Sequence, residues 1–284
     1  MLSFKLLGRY GRFGNQMFQY AFLRTAAQRL GTQFYCPAWL GDAVFRLDDA
    51  AERAPQPEGI QKTFMQPRSA CGYQPDAAFI EDHTEIIGWF QSARHFDEAT
   101  VRSWYTFRDD VISSVRTRFA SIDFSNAVGV HARFGDMIDH YGYINLSAAY
   151  YRKALRRLRP YGSVLVFSDD PKRAERLIRR VTSNFICIEA NEPFEDLYLL
   201  SRCQSVVCSV STFSWWGAWL RARPGKRVVA PREWIRPGVP VDYSGLSCPE
   251  WDNLRAARPI FDHNLWWRAR KWAARQLSGT RHPP

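Results

Sequence analysis

Several features that mark specialised proteins are missing from this sequence of 284 residues. The six cysteines show no CxxC spacing, which argues against a zinc ribbon and predicts reduced, buried thiols in a cytosolic protein. No run of about 18 apolar residues occurs, and no signal-peptide pattern is present, so no membrane-spanning helix is expected. Asp-x-Asp and HExxH motifs are absent and the histidines are isolated, so the sequence requires neither a metal nor another cofactor.

Acidic residues are outnumbered by basic ones. Lys and Arg total 39 against 28 Asp and Glu, which gives a net charge of +11. A basic balance favours an acidic partner, such as a nucleic acid, an anionic membrane or a phosphorylated ligand. The arginines are dispersed outside residues 152–180 and the C-terminal tail, and no zinc-finger or RNA-binding signature accompanies them. We therefore expect no nucleic-acid partner, and keep a basic nucleic-acid binder as a minor alternative.

The C-terminal tail predicts an amphipathic helix over residues 265–277. Leu265 and Trp272 fall on one side of this helix, whereas Lys271 falls on the other. Such a helix either docks on the protein or lies on an anionic membrane surface. Docking is favoured, because an apolar face is usually buried against a core. The alternative is peripheral contact at the inner face of a bacterial membrane.

Strand and helix signals alternate along most of the chain. In the second half, buried strands are predicted at 127–133, 163–168, 184–188, 205–208 and 227–230, with helices between them. This alternation is typical of a parallel sheet with helices on both faces. Near the N-terminus, a strand at Phe4–Leu7 leads through the Gly-rich loop Gly8–Gln16 into a helix that Gly31 ends. The loop does not match the GxGxxG fingerprint, and tight strand-to-helix packing explains it equally well.

Polar residues lie at or just after the ends of three of the predicted strands. His131 and Arg133 share one face of the first strand, Ser168 and Asp169 follow the second, and Ser211–Ser214 follow the third. A helix begins at the third position, and its free N–H groups and dipole favour a bound phosphate. Ligands of parallel sheets bind at the carboxyl ends of strands. The sequence therefore predicts an anion site in one crevice, with an ordinary capped helix as the structural alternative.

Arg133 is the main candidate within that crevice. A guanidinium at the end of a buried strand is costly unless an anion pairs with it. Its partner is either a ligand or Asp136 in a structural ion pair. Without a metal, arginine and helix N-termini have to stabilise a departing phosphate. Asp136 is also a carboxylate suited to general-base catalysis, and His131 either binds a sugar or fills the core.

Six segments taken together resemble the alpha-1,2-fucosyltransferase family. They run in order along most of the chain: Gly11–Gln16, Gly88–Ser92, His131–Asp136, Phe167–Asp170, Glu195–Ser201 and Ser211–Trp219. The resemblance implies a GT-B-like α/β fold, in which two Rossmann-like domains with parallel sheets face each other across a cleft. It implies inverting, metal-independent transfer of fucose from GDP-fucose to a glycan hydroxyl, commonly O2 of galactose, in surface glycan synthesis.

The resemblance also assigns domains and residue roles. Residues 1–140 become an acceptor-side domain on which 255–284 pack back, and 141–254 become the GDP-fucose-binding domain. The resemblance places Arg133 on the β-phosphate and Asn15 near the reacting sugar, and our own mechanistic hypothesis takes Asp136 as the base. The expected substrate-binding residues lie in the N-terminal loop, at the strand ends and at the helix start: Arg12, Gly14, Gln16, His131, Ser168, Asp169, Ser211, Thr212, Phe213 and Ser214.

The N-terminal loop departs from the family's usual GGxGNQ pattern. Gly11–Gln16 is more similar to the protein O-fucosyltransferases, in which the Arg and Asn of this loop act near the reaction centre. Arg12 is therefore expected to reach the acceptor or the leaving phosphate. Two alternatives stay open: a glycosyltransferase of this fold with another nucleotide sugar or a protein acceptor, and a non-catalytic nucleotide- or sugar-binding module.

Overall fold

The computed structural model describes residues 1–59, 62–67, 69–135 and 142–256. Within these ranges the N-terminal part forms a four-stranded sheet. Its strands are β1 (Leu2–Ser3), β2 (Phe34–Tyr35), β3 (Lys62–Met65) and β4 (Thr84–Ile87). They lie in the order β2-β1-β4-β3, and every neighbouring pair is parallel.

The second part of the described chain forms a six-stranded sheet. Its strands are β5 (Ala127–Ala132), β6 (Ser163–Ser168), β7 (Ile186–Cys187), β8 (Ser205–Val207), β9 (Arg227–Pro231) and β10 (Asp252–Leu254). The order is β10-β9-β8-β5-β6-β7, and all pairs are parallel. Because β5 is central, all six of its residues are buried. Two parallel sheets confirm the predicted α/β class.

The strand β5 pairs with β6 and β8, and so belongs to the second sheet. The predicted boundary after residue 140 assigns this strand to the N-terminal unit instead. A run of apolar residues indicates a buried strand, but it does not indicate which sheet the strand joins. The sheets divide the described chain before Ala127. The helix expected within 255–284 lies outside the described residues, apart from its first two positions.

Helices connect the strands. They are α1 (Phe13–Leu30), α2 (Leu40–Val44), α3 (Glu98–Trp104), α4 (Asp109–Arg118), α5 (Ala148–Leu158), α6 (Pro171–Ile178), α7 (Pro193–Arg202) and α8 (Thr212–Trp219). Short 3-10 helices lie at Pro75–Phe79, Ala93–His95, Phe124–Asn126 and Ser244–Leu246. Gly31 ends α1 in the left-handed conformation, as predicted, and Asp170 caps α6 by accepting the Arg173 N–H at 3.0 Å. None of the helices that the structure describes is both long and apolar enough to cross a membrane.

Two predicted elements differ from the structure. Residues 5–7 form a turn and Phe4 lies outside any strand or helix, because the first strand ends at Ser3. The residue pattern over 96–119 predicts one helix, but the structure has two helices there, α3 and α4, since Phe107 between them forms a β-bridge with Phe45. A bridge formed with a distant residue cannot be read from local periodicity.

Helix α8 lies at the junction between the two sheets. Its side chains Trp215, Trp216 and Trp219 are at most 2% exposed. The rings of Trp215 and Trp216 pack 4.7 and 4.6 Å from the ring of Phe18, which belongs to α1. Indole Nε1 of Trp216 also donates to the carbonyl oxygen of Gly14 at 2.9 Å. The core therefore joins the first helix of the chain to a helix about 200 residues later.

Candidate active site

A cleft of about 1060 Å³ lies between the two sheets, and residues of both line it. The ends of β5, β6 and β8 open into the same cleft, together with the loop before α1 and the start of α7. The polar side chains in its lining are Arg12, Asn15, Gln91, His131, Arg133, Ser168, Asp169, Asn191, Asp196, Ser211 and Thr212. The three strand ends with polar residues therefore share one cavity.

Two helix N-termini meet in this cleft. Helix α1 begins at Phe13, and α8 begins at Thr212 with Ser211 as its cap, accepting the Phe213 N–H at 3.3 Å. The two starts are so close that a Cβ atom on Gly14 would lie 2.7 Å from the Phe213 nitrogen. Each start carries partial positive charge and N–H groups that lack carbonyl partners within their helix. Partial positive charge and unpaired N–H groups of this kind favour a bound anion.

Asn15 joins the two helix starts. Its Oδ1 atom accepts hydrogen bonds from Thr212 Oγ1 at 2.8 Å and from Gln91 Nε2 at 2.9 Å. In this arrangement the amide oxygen accepts both bonds, and Nδ2 is the donor end of the amide. Asn15 lines the cleft with this fixed amide, beside both helix N-termini.

Arg133 lies at the wall of the cleft in an ion pair with Asp169. The two side chains are 12% and 24% exposed, and Asp169 Oδ1 also accepts the Phe134 N–H at 2.9 Å. Asp169 therefore orients the guanidinium at the carboxyl end of β5. Asp136, the predicted structural partner and general base, lies outside the described residues.

His131 is 4% exposed, and its Nδ1 atom lies 2.7 Å from the hydroxyl of Ser209. Burial, with a smaller effect of the neighbouring Arg133 charge, lowers the pKa of His131 to about 3. The imidazole is therefore neutral near pH 7, and it adds an uncharged hydrogen-bonding group to the cleft.

Three of the predicted substrate ligands use their polar atoms to hold loops. Gln16 Nε2 donates to the carbonyl oxygens of Gly8 and Gly11 at 3.2 and 3.0 Å. The hydroxyl of Ser214 accepts the Ser209 N–H at 3.2 Å. Neither Gln16 nor Ser214 belongs to the lining of the cleft. Ser168 does line it, but its hydroxyl donates to the Ala132 carbonyl at 2.6 Å, so it also ties two strand ends together.

A carboxylate that the sequence analysis did not single out also faces the cleft. Asp196 lies in the first turn of α7 and accepts from Asn191 Nδ2 at 2.8 Å. Burial raises its pKa to about 6. The segment Glu195–Ser201 contains this residue, but acidic residues in a first helical turn are common and carry no signal of their own. Among the residues with described positions, no three His, Cys, Asp or Glu side chains group as metal ligands.

Aromatic residues from irregular segments form the remaining walls. Tyr10 and Trp89 stack with ring centroids 4.1 Å apart on the side of the first sheet. On the other side, the hydroxyls of Tyr143 and Tyr243 lie 2.8 Å apart. Tyr243 belongs to residues 232–246, here called the strap. The strap reaches the N-terminal part of the chain, where the Asp242 N–H donates to the Ser69 carbonyl at 2.8 Å. Loops of this kind lack periodicity, so sequence reasoning missed both walls.

Curated relatives are glycosyltransferases. The chain is 31% identical over 141 residues to the O-antigen biosynthesis glycosyltransferase WbnK of Escherichia coli. The aligned residues cover 46% of this chain and 45% of WbnK. It is 29% identical over 167 residues to an alpha-1,2-colitosyltransferase of Escherichia coli, covering 55% and 58%. It is 27% identical over 233 residues to galactoside alpha-(1,2)-fucosyltransferase 1 of Alouatta caraya, covering 74% and 63%. The chain thus spans about half to three fifths of the length of these relatives.

Two solved fucosyltransferase structures share the fold. NodZ from Bradyrhizobium matches with a TM-score of 0.51 at 16% identity, over 77% of this chain and 91% of that chain. POFUT1 matches with a TM-score of 0.53 at 13% identity, over 81% and 97%. At these identities the likeness is one of fold, and it confirms the GT-B-like arrangement of the two α/β sheets.

The family model of glycosyl transferase family 11 matches residues 88–236. This range begins at the Gly88–Ser92 segment and ends within the strap, so it includes the strand ends that carry His131, Arg133 and Ser211. The match extends over more than half of the sequence. The chain therefore belongs to glycosyl transferase family 11.

Proposed function

We propose that the protein is an inverting, metal-independent fucosyltransferase that moves L-fucose from GDP-fucose to a glycan hydroxyl, preferentially O2 of galactose. The observation that carries this proposal is the convergence of Arg133 and two helix N-termini on one cleft, in a member of glycosyl transferase family 11. Relatives named as an O-antigen glycosyltransferase and as galactoside alpha-(1,2)-fucosyltransferases support the acceptor class. Structures of NodZ soaked with GDP-fucose and of POFUT1 with GDP support the donor.

The diphosphate of the donor fits the positive end of the cleft. Arg133 supplies a planar fork of donors, which suits phosphate oxygens. The N–H groups at the start of α8 and the amide Nδ2 of Asn15 supply uncharged donors beside it. A site of this kind stabilises negative charge that develops as a phosphate departs, because its dipoles are already oriented.

The carboxylate of Asp196 fits the base of the same nucleotide. Guanine presents two neighbouring N–H donors on one edge, N1–H and the N2 amino group, and a carboxylate accepts both. Asp196 is half-buried, and its loss of contact with solvent raises its pKa to about 6. A perturbed carboxyl group in a cleft is a common mark of a functional site. This contact would favour a guanosine donor over a uridine donor.

In the proposed reaction, the bond between fucose C1 and the β-phosphate oxygen breaks, and its electron pair leaves with GDP. The acceptor hydroxyl attacks C1 from the opposite face and forms the new C1–O bond, so the configuration inverts. The hydroxyl proton passes to a base. Arg133 and the helix starts offset the charge that GDP gains. Asp136 is our candidate base, and its position lies outside the described residues.

A second donor is worth testing. The match to an alpha-1,2-colitosyltransferase covers more of both chains than the match to WbnK. That relative's name specifies another sugar transferred with an alpha-1,2 linkage, which favours a related nucleotide sugar as the alternative donor.

The six free cysteines suit a reducing compartment, so we place the reaction in the cytoplasm.

The proposal is tested by incubating the protein with GDP-fucose, GDP-mannose and UDP-galactose in turn, each with a panel of galactosides. We expect turnover with GDP-fucose, and a product in which NMR locates the fucose on O2 of galactose. Chelator added to the reaction should leave the rate unchanged. Turnover with a different nucleotide sugar would replace the donor assignment. Binding of GDP without turnover on any acceptor would favour a binding module.

A further inference from the structure

The cleft has a charged end and an aromatic end. The charged end is built from the second sheet and α8, whereas Tyr10 and Trp89 come from loops that follow β1 and β4 of the first sheet. These two rings lie 4.1 Å apart with an interplanar angle of 21°. Both are half-buried, and both line the cleft. The stacked pair is therefore a flat aromatic surface on the side of the cleft that the first sheet supplies.

The chain holds this aromatic pair in a fixed position. The Trp89 N–H donates to Gln66 Oε1 at 2.6 Å. Gln19 Nε2 donates to the carbonyl oxygens of Tyr10 and Gly88 at 3.0 and 3.1 Å, which ties the two loops to α1. Gly11, at φ +88°, lets the loop approach the indole so closely that a Cβ atom there would lie 2.6 Å from Trp89 Cζ3. An ordered aromatic surface binds at a low cost in side-chain entropy.

Hydrogen-bonding groups lie beside the rings. Gln91 is two residues from Trp89, and its Nε2 atom donates to Asn15 Oδ1 at 2.9 Å. Through Asn15 the aromatic pair is connected to the start of α8, where Thr212 Oγ1 donates to the same oxygen. A ligand on the rings therefore lies next to the groups proposed to surround the reacting sugar.

We propose that Tyr10 and Trp89 form the platform for the acceptor sugar, and that it selects a galactose-type pyranose. In galactose the axial O4 leaves the C–H groups at C3, C4 and C5 together on one face, which gives that ring an apolar patch. Glucose, with O4 equatorial, has no comparable patch. This inference rests on the proposed function and names the residues that recognise its acceptor.

The test compares Trp89→Ala and Trp89→Phe with wild type, and uses Phe79→Ala as a control. Phe79 is 80% exposed and does not line the cleft. Three quantities are measured: the KM for a β-galactoside acceptor, the rate of GDP-fucose hydrolysis without acceptor, and the affinity for GDP by calorimetry. For Trp89→Ala we expect an acceptor KM raised about tenfold, with hydrolysis and GDP affinity unchanged. Trp89→Phe should recover part of the loss, and Phe79→Ala should match wild type.

Other outcomes are distinguishable. An unchanged acceptor KM, or a parallel fall in hydrolysis and GDP affinity in folded Trp89→Ala, overturns the platform and leaves fucosyl transfer standing. Wild-type protein that neither binds GDP nor cleaves GDP-fucose overturns both. If Trp89→Ala does not fold, Trp89→Phe and Tyr10→Leu are compared on galactoside and glucoside acceptors. A loss larger for galactosides then supports the inference, and equal effects on both sugars contradict it.

Discussion

Replacement of Arg133 by alanine offers a direct test of the proposed phosphate contact. Removing one preorganised donor from developing negative charge typically slows catalysis by about 10²–10³-fold, or roughly 3–4 kcal/mol. The structural loss should be smaller. Asp169 keeps the Phe134 N–H as a donor, and at 24% exposure its charge is partly solvated. An ion pair of this exposure contributes about 1 kcal/mol, which corresponds to a change in Tm of about 2–4 °C.

The experiment measures transfer at saturating GDP-fucose, GDP affinity by calorimetry, and Tm by calorimetric scanning. Asp169→Asn is the matched control, because its amide oxygen can still accept the Phe134 N–H while the ion pair loses one charge. We expect Arg133→Ala to lose 100-fold or more in turnover at nearly normal Tm. Asp169→Asn should lose less than about tenfold, since Arg133 retains its charge.

Two results would refute this reasoning. Turnover of Arg133→Ala within about threefold of wild type would remove the guanidinium from charge stabilisation. An equal loss in both variants, accompanied by an equal fall in Tm, would make the Arg133–Asp169 pair structural.

Three further variants address other parts of the cleft. Gly14→Ala should lower Tm and GDP affinity together, because its Cβ would lie 2.7 Å from the Phe213 nitrogen and force the two helix starts apart. Melting followed by circular dichroism measures Tm, and calorimetry measures GDP affinity. A Gly14→Ala variant with unchanged Tm and affinity would contradict the contact. Asp196→Asn should raise Tm at pH 7.5 but not at pH 4. The folded-state pKa of about 6 exceeds the ordinary 3.8, so wild type loses stability as pH rises through that window. The same variant should bind GDP more weakly, and unchanged binding would exclude the base contact. Thr212→Val removes the hydrogen bond to Asn15, so the rate of transfer should fall about three- to tenfold with little change in Tm. Thr100→Val is the control, because it removes a similar hydrogen bond at an exposed helix start and should leave the rate of transfer unchanged.

Much of the second sheet and its helices could be predicted from the sequence. Buried parallel strands are continuous apolar runs, and β6 begins and ends at the predicted residues Ser163 and Ser168. Asp170 and Ser211 cap their helices because short polar side chains satisfy first-turn N–H groups wherever they precede a helix. The crevice that three strand ends share could also be predicted, since parallel strands end at one edge of a sheet.

Contacts between distant segments could not be predicted. The approach of Gly14 to Phe213 depends on how the first helix packs across the second domain, and no local pattern encodes it. The same holds for the pairing of β5 with β8. Edge strand β3 is mostly exposed and lacks apolar alternation, so no local pattern predicts it. Asp196 was missed because its distinguishing feature is burial in the cleft, which a sequence does not state.

Helix α8 combines two duties within eight residues, since its first turn lines the cleft and its remaining turn fills the junction between the sheets. A substitution in the first turn of α8, where we propose that the donor binds, therefore also disturbs the tryptophan packing on which the fold depends. The side chains of Tyr10 and Trp89 lie outside α8, although Gln19 holds the backbone of their loops through the carbonyl oxygens of Tyr10 and Gly88. The strap is also fixed, because Leu246 is buried and its carbonyl oxygen accepts from Trp215 Nε1 at 3.0 Å. Diversification of this enzyme toward new acceptors should consequently proceed by exchange of cleft-facing side chains around an unchanging α8, and a library that varies only Tyr10 and Trp89 should yield folded proteins with altered sugar preference.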